Sequence, residues 1–355
     1  MKLSSPTMTL LVFFALLLSQ LSGCARKPQC PDKQMPYKQT FQAMGTFIVI
    51  TVYAPPGIAA EKAAQAAFQE IVNVDQLMSG YNPRSELSRI NQCAGKSGVA
   101  VSPQLSEVLG RAEYFSRLSD GAFDPTIRPL VNLWRSAGRS GNTPDADDLA
   151  DAQSLVNWQL IQTKTTGNGQ GGTVSLLQPR MQLDLGGIAK GYAVDRAIEK
   201  LKQLGVTNAI VDAGGDLFAL GSHPNGRPWV VGVQDPTREG PVLPDLLHLA
   251  DMAAATSGDY RRYFEIDGKQ FSHIIDPRTG KPVEHIASVT VVAPSATDAD
   301  ALATTLTVLG PEDGMALINS IPVTEAMMIV RQPNGNLVTH RSDGFEELQV
   351  KNELN

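Results

Sequence analysis

The sequence predicts an α+β fold, with mixed or antiparallel sheets and helices packed on them, from three observations. Apolar residues recur at period two in some runs and near helical period in others, without the strict strand–helix alternation of a doubly wound sheet. Glycine corners and turn dipeptides join several strand runs directly, as hairpins require. Hydrophobic residues make up 42% of the 355-residue chain and charged residues 19%, an ordinary globular balance with length for a sizeable core.

The start of the chain stands apart from that fold. Lys2 precedes an apolar run from Leu10 to Leu18, too short to span a bilayer comfortably, and "LSGC" ends at Cys24. A small-residue pair before cysteine resembles a bacterial lipobox, which implies a signal peptide over residues 1–23 and lipidation of the Cys24 thiol. An ordinary signal peptide and an uncleaved anchor are the alternatives. The lysines and prolines of "ARKPQCPDKQMPYKQ" suit an extended tether, residues 24–40, ahead of a folded domain over 41–350. Such a compartment permits a Cys30–Cys93 disulfide, which the sequence does not establish.

Within the domain, "FQAMGTFIVITVYAP" reads as one strand, apolar on both faces and so central in a sheet. A helix follows over "GIAAEKAAQAAFQEIVNVDQLMSGY", with Ala64, Phe68, Ile71 and Met78 at helical spacing. The next helix is "SPQLSEVLGRAEYFSRLSDG", capped by Ser102 and followed by Gly121. "MSGYNPRSELSRIN" and "GAFDPTIRPLVNLW" read as loops. "TTGNGQGGTVSLL" is a glycine-rich hairpin tip leading into a strand, "MQLDL" a short strand, and Ile188 to Leu204 a helix closed by Gly205. "NAIVDAGGDLFALG" gives two strands around a glycine corner, and "YFEIDGKQFSHIIDP" a hairpin at Asp267-Gly268. "SVTVVAPS" feeds the helix "ATDADALATTLTVLG", which Gly310 ends, before the last strands "AMMIVRQ" and "NLVTH".

The net charge of −6 gives no electrostatic reason to expect a nucleic-acid partner. No CxxC or HExxH occurs, and five scattered histidines give little support to zinc. "LDLGGIAKGYAVDR" does raise a question of chemistry. Gly186 and Gly187 let backbone approach a ligand at a helix N-terminus, where the dipole favours phosphate. Lys190 in the first turn runs against that dipole, which makes sense beside an anionic ligand. A glycine turn that only packs helix on sheet is the alternative. Asp298 and Asp300 are likewise explained by a helix start capped by Thr297, yet Asp300 and Thr304 share a face and could hold magnesium. His273, next to apolar Ile274 and Ile275, is either a packed core residue or a base.

The order of the motifs is more specific than any one of them. "MGT", "YNPRSELSRIN", "GAFDPTIRPL", "LDLGGIAKGYAVD", "DAGGDL", "TSGDY", "HIIDPRTG" and "TDADALATTL" follow one another as in the ApbE family of FAD:protein FMN transferases, which the chain resembles from about Met44 onward. The resemblance implies an ApbE-like fold and transfer of the FMN half of FAD to a Thr or Ser hydroxyl, releasing AMP. It implies target proteins in membrane redox pumps such as the sodium-translocating quinone reductase and its Rnf relatives. It implies FAD contacts at Met44, Tyr81, Ala122, Phe123, Asp124, Asp184, Lys190, Ser257 and Ile275. It also implies magnesium held by the Gly187 carbonyl, Asp300 and Thr304, glycine replacing the alanine common in the family. Tyr81 would lie beside the flavin ring and restrict water. His273, with an intrinsic pKa near ~6.5, would accept the hydroxyl proton. The lipid anchor and these targets place the protein on the periplasmic side of the inner membrane.

Overall fold

Where one strand is expected first, the chain makes two. β1 (Tyr37–Ala43) and β2 (Thr46–Tyr53) form an antiparallel hairpin closed by Met44 and Gly45, both at positive φ (52° and 70°). A two-residue turn of this kind matches the twist of its strands. β1 therefore takes the sheet edge and β2 the second place. The structure, a computed structural model, describes residues 35–165, 171–234, 236, 245–258, 263–266 and 268–350. The leader with Cys24 and Cys30, most of the tether, the hairpin tip at 166–170 and Asp267 lie outside the described residues. Cys93 is a free thiol among them, and none of their helices is long and apolar enough to cross a membrane.

Helix α1 (Ala60–Met78) buries Ala64, Ala67, Ile71, Val74 and Met78, one face at helical spacing. Phe68 stacks on Phe41 of β1, ring centroids 4.1 Å apart. The two segments read as loops each contain a helix. In α2 (Glu86–Gln92) the Ser85 hydroxyl caps by accepting from Ser88 N at 2.9 Å. After β3 (Val99–Val101), α3 (Pro103–Leu118) starts at the expected cap, Ser102 accepting from Leu105 N at 3.3 Å. α4 (Arg128–Ser140) buries Leu130, Trp134 and Ala137, a spacing of four and three that makes a helical face. Pro129 sits in its first turn, where a missing N–H costs nothing. α5 (Ala146–Ser154) follows, and β4 (Ile161–Thr165) and β5 (Gly172–Leu176) complete a small sheet in the order β3-β5-β4.

"MQLDL" is not a strand. Residues 181–185 join no sheet and make one isolated parallel bridge, Gln182 to Ile127. They lead into α6 (Ala189–Gln203), which ends ahead of Gly205 at φ 80°. β6 (Asn208–Ala213) and β7 (Leu217–Leu220) flank the expected glycine corner, and β8 (Trp229–Val233) pairs with β9 (Asp245–Leu249) as a separate ribbon. β10 (Met252–Gly258), the hairpin β11 (Tyr263–Ile266) and β12 (Lys269–Ser272), and β13 (Ile286–Ala293) come next. α7 (Ala296–Asn319) does not stop at Gly310. The chain kinks there (φ 79°, ψ −175°) before Pro311 and then continues as helix. β14 (Glu325–Arg331), β15 (Leu337–Arg341) and α8 (Phe345–Leu348) complete the order.

Eight strands form the main sheet in the order β1-β2-β6-β7-β10-β13-β14-β15, every adjacent pair antiparallel. The expected α+β class is therefore what the chain adopts. Ile48, Ile50 and Val52 of β2, with their counterparts on β6, β10 and β13, pack on α1, α6 and α7 to make the main core. The other face, through Leu217, Ala219, Ala254 and Val292, packs on the β8–β9 ribbon and on Phe345 of α8. α6 and α7 thus lie side by side on one sheet face, and their starts meet at the site.

Candidate active site

A cavity of about 1700 Å³ is lined by every residue expected to contact FAD, by the three expected metal ligands and by His273. Ordinary small-molecule pockets measure roughly 300–1,000 Å³, so this one has room for more than one small ligand.

Its floor is the junction of α6 and α7. A Cβ on Gly191 would stand 2.0 Å from Ala296 O, so the helices approach through backbone there. Gly191 N donates to Asp300 Oδ2 at 3.0 Å, and the Asp300 side chain is buried. A Cβ on Gly187 would stand 2.9 Å from Thr304 Oγ1, which puts that hydroxyl against the Gly187 backbone. Thr304 therefore lies against the Gly187 backbone and Asp300 against the Gly191 N–H, although over a hundred residues separate the segments. Among the described residues no three His, Cys, Asp or Glu side chains are grouped to hold a metal. A metal here would rely on hydroxyl and carbonyl oxygens beside one carboxylate, and that hard-oxygen set fits magnesium, which leaves further positions for water and substrate phosphate.

Lys190 lines the cavity and is also paired within its own chain. Its ammonium faces two carboxylates of its own chain, donating to Asp216 and, at 3.2 Å, to Asp300. Burial alone would lower the Lys190 pKa, but the charges of Asp216 and Asp300 outweigh it and raise it above the ordinary lysine value. Burial first, then the Asp300 charge, pushes Asp216 up to about 7 against the pull of Lys190. Asp212, Asp216 and Asp300 line the cavity together with Lys190. The cap of α7 departs from expectation. Ser295 Oγ accepts from Asp298 N at 3.1 Å, while Thr297, the expected cap, donates its hydroxyl to Asp195. Asp298 pairs with Arg111 at 2.7 Å and does not line the cavity.

The opposite wall is looser. Tyr81 is 69% exposed, and Arg128 and Arg135 lie 5.3 and 5.1 Å from its ring centroid. Arg135 also donates to the Tyr81 hydroxyl. Arg128 spans this wall, donating to Asp184 at 3.0 Å and to Gly80 O at 2.6 Å. Asp184 accepts in turn from Gly186 N at 2.8 Å. Met44 N donates to Asp75 at 3.1 Å. Ala122 and Phe123 are buried. The Asp124 carboxylate is engaged within its own chain: Oδ1 accepts from Thr126 N (2.7 Å) and Oγ1 (2.6 Å), and Oδ2 from Trp158 N (3.0 Å). Burial keeps its pKa above the ordinary aspartate value despite those bonds. Its side chain orders the loop. Ser257 lies near the end of β10, Ile275 is buried and bridges Pro282, and His273 follows β12 directly on the cavity wall.

Sequence reasoning assigned no role to Arg128, Asp212 or Asp216. Asp212 and Asp216 stand in "DAGGDL", and the acid at each end of a glycine corner was the available signal. Arg128 was hidden because its helix read as a loop.

A sequence model described as the ApbE family matches residues 44–328. The FAD:protein FMN transferase of Vibrio cholerae serotype O1 is 37% identical over 331 residues, covering 92% of this chain and 94% of that protein. That of Haemophilus influenzae is 37% identical over 295 residues, covering 81% and 84%. The crystal structure of Pseudomonas stutzeri flavinyl transferase ApbE, apo form, aligns with a TM-score of 0.77 at 34% identity, over 88% of this chain and 96% of that one. On sequence and fold alike, this chain belongs to the ApbE family.

Proposed function

We propose that this chain, like the relatives it matches, is an FAD:protein FMN transferase. It moves the FMN moiety of FAD onto a Thr or Ser hydroxyl of a target protein and releases AMP. The observation that carries this reading is the meeting, on the floor of one large cavity, of Asp300, Thr304 and the Gly187 backbone at the start of α6. A store for flavin has no need of that oxygen set.

The FAD pyrophosphate lies at the start of α6, where the helix dipole favours anions. Asp300, Thr304 and the Gly187 carbonyl would hold magnesium. When bound, that ion neutralises pyrophosphate charge and stabilises the AMP leaving group. Lys190 supplies a second positive charge, kept in place by Asp216. His273 takes the proton of the incoming hydroxyl on a ring nitrogen. The hydroxyl oxygen then bonds to the FMN phosphorus, the bond from that phosphorus to the bridging oxygen breaks, and AMP leaves with that oxygen. Tyr81, fixed by two arginines at the mouth, stacks on the flavin and limits entry of water.

Incubation with FAD, magnesium and a candidate target peptide tests the reading. Transfer gives AMP and a peptide heavier by FMN. Free FMN with AMP marks a hydrolase, and unchanged FAD marks a binding protein.

The targets we propose are subunits of inner-membrane redox complexes, reached from a lipid anchor at Cys24 on the periplasmic side. The support for the anchor is "LSGC" itself. Cys24→Ser should abolish uptake of labelled lipid, and equal label on both proteins would remove the anchor.

A further inference from the structure

Asp195 does not line the large cavity, yet it ties together the two helices that make its floor. It lies on α6, one turn past Gly191, and its carboxylate accepts three hydrogen bonds from the first turn of α7. Ala296 N and Thr297 N each donate at 2.8 Å, and Thr297 Oγ1 at 2.5 Å. α7 already has an ordinary cap in Ser295, whose hydroxyl accepts from Asp298 N. The helix start is thus held twice, once by its own chain and once by the neighbouring helix. A carboxylate accepting N–H groups at a helix start is the stronger of the two, being charge-assisted and aligned with the dipole.

Position along the helices gives this contact its meaning. Gly191 and Asp195 are four residues apart on α6, and Gly187 stands in the turn two residues ahead of that helix, which begins at Ala189. Ala296, Asp300 and Thr304 are four apart on α7. Asp195 meets Ala296 and Thr297, Gly191 meets Ala296 and Asp300, and Gly187 meets Thr304. The pairs form a ladder whose last rung is the metal-ligand set. A helix transmits register stiffly, since each turn advances about 5.4 Å, so a shift at the first rung moves the last.

We infer that Asp195 is a positioning residue for the metal site, its carboxylate setting the register of α7 on α6 so that Asp300 and Thr304 meet the Gly187 carbonyl. This rests on the metal reading proposed above. Asp195→Asn keeps the shape but turns an NH2 toward a backbone donor. Thr297→Val removes only the hydroxyl rung and leaves both backbone bonds. Ser295→Ala removes the ordinary cap and leaves the ladder intact.

The test is calorimetric titration of magnesium into the FAD-loaded full-length protein, with melting temperatures, for these variants and for Asp300→Asn. Loss of a residue that orients metal ligands typically weakens metal affinity by about 10–100-fold, the result expected for Asp195→Asn, with a smaller loss in the same direction for Thr297→Val. Ser295→Ala should lower the melting temperature and leave the magnesium affinity at the wild-type value. Wild-type affinity in Asp195→Asn, or an equal loss in Ser295→Ala, overturns the inference. If Asp195→Asn does not fold, wild-type affinity in Thr297→Val overturns it. Asp300→Asn separates the two claims. Its binding magnesium like the wild type removes the metal site itself, whereas its loss beside an unaffected Asp195→Asn removes only the role of Asp195.

Discussion

The floor and the mouth of the cavity are built on opposite plans. On the floor, Asp300 is buried and held by Gly191 N and Lys190, and Lys190 is held by Asp216. Two packed helices fix these groups before any ligand arrives. At the mouth, Tyr81 is 69% exposed and held by arginine side chains, while His273, on the cavity wall, follows a two-stranded hairpin. The floor is suited to binding charge in one geometry. On the proposed function, the mouth is where water and a protein hydroxyl would compete. Substitutions on the floor should therefore change metal dependence and stability, and substitutions at the mouth should change the fate of FMN.

The largest effect is expected at His273, the group proposed to meet the incoming hydroxyl. His273→Ala should bind FAD nearly normally and transfer FMN ~10²–10⁴-fold more slowly, the usual contribution of a general base. A loss under about tenfold in single-turnover transfer makes His273 a packing residue. On the floor, Gly191→Ala forces a Cβ to within 2.0 Å of Ala296 O and must spread α6 from α7. We expect ~1–3 kcal/mol of destabilisation in denaturant melts, the common range for overpacking, together with weaker magnesium binding. A melt matching the wild type would show that the helix contact is slack. The smallest effect is expected for Tyr81→Asn, which leaves the floor intact. The ratio of free FMN to peptide-bound FMN should rise severalfold while stability stays constant. An unchanged ratio removes Tyr81 as the barrier to water.

The same division separates what was legible in the sequence from what was not. Floor residues sit in glycine-rich and acid-rich motifs whose local spacing is informative: Gly187 and Lys190 in one run, Asp300 and Thr304 on one helical face. Their meeting across the fold was not in the spacing; only the resemblance supplied it. Lys190 looked set for an anionic ligand because its acidic partners are 26 and 110 residues away. A local reading cannot see a charge placed by the glycine corner after β6. The wall of Arg128 and Arg135 was missed for a different reason. α4 carries proline and glycine, which read as breakers, though its buried Leu130, Trp134 and Ala137 keep helical period. Asp124, an acid in a quoted motif, lines the cavity as expected while its carboxylate also holds its own loop, a role local spacing did not reveal. At the N-terminus of the domain, alternation in "FQAMGTFIVITVYAP" was real, but Met44-Gly45 was not seen as a turn because methionine seldom takes positive φ.

The central claim is that α6 and α7 together present a metal site to the FAD pyrophosphate, and Asp300→Asn tests it most directly. The substitution keeps size and much of the hydrogen bonding but removes the charge a hard cation requires. FMN transfer should be measured against magnesium concentration for wild type and variant, alongside melting temperatures. The account predicts a curve displaced to higher magnesium, with turnover partly restored in excess. Asp300 is buried, pairs with Lys190 and accepts from Gly191 N, so its loss also lowers stability, by up to ~3–5 kcal/mol, but a loss of stability alone leaves the magnesium dependence of the folded protein unchanged. Wild-type transfer by Asp300→Asn in limiting magnesium would contradict the account.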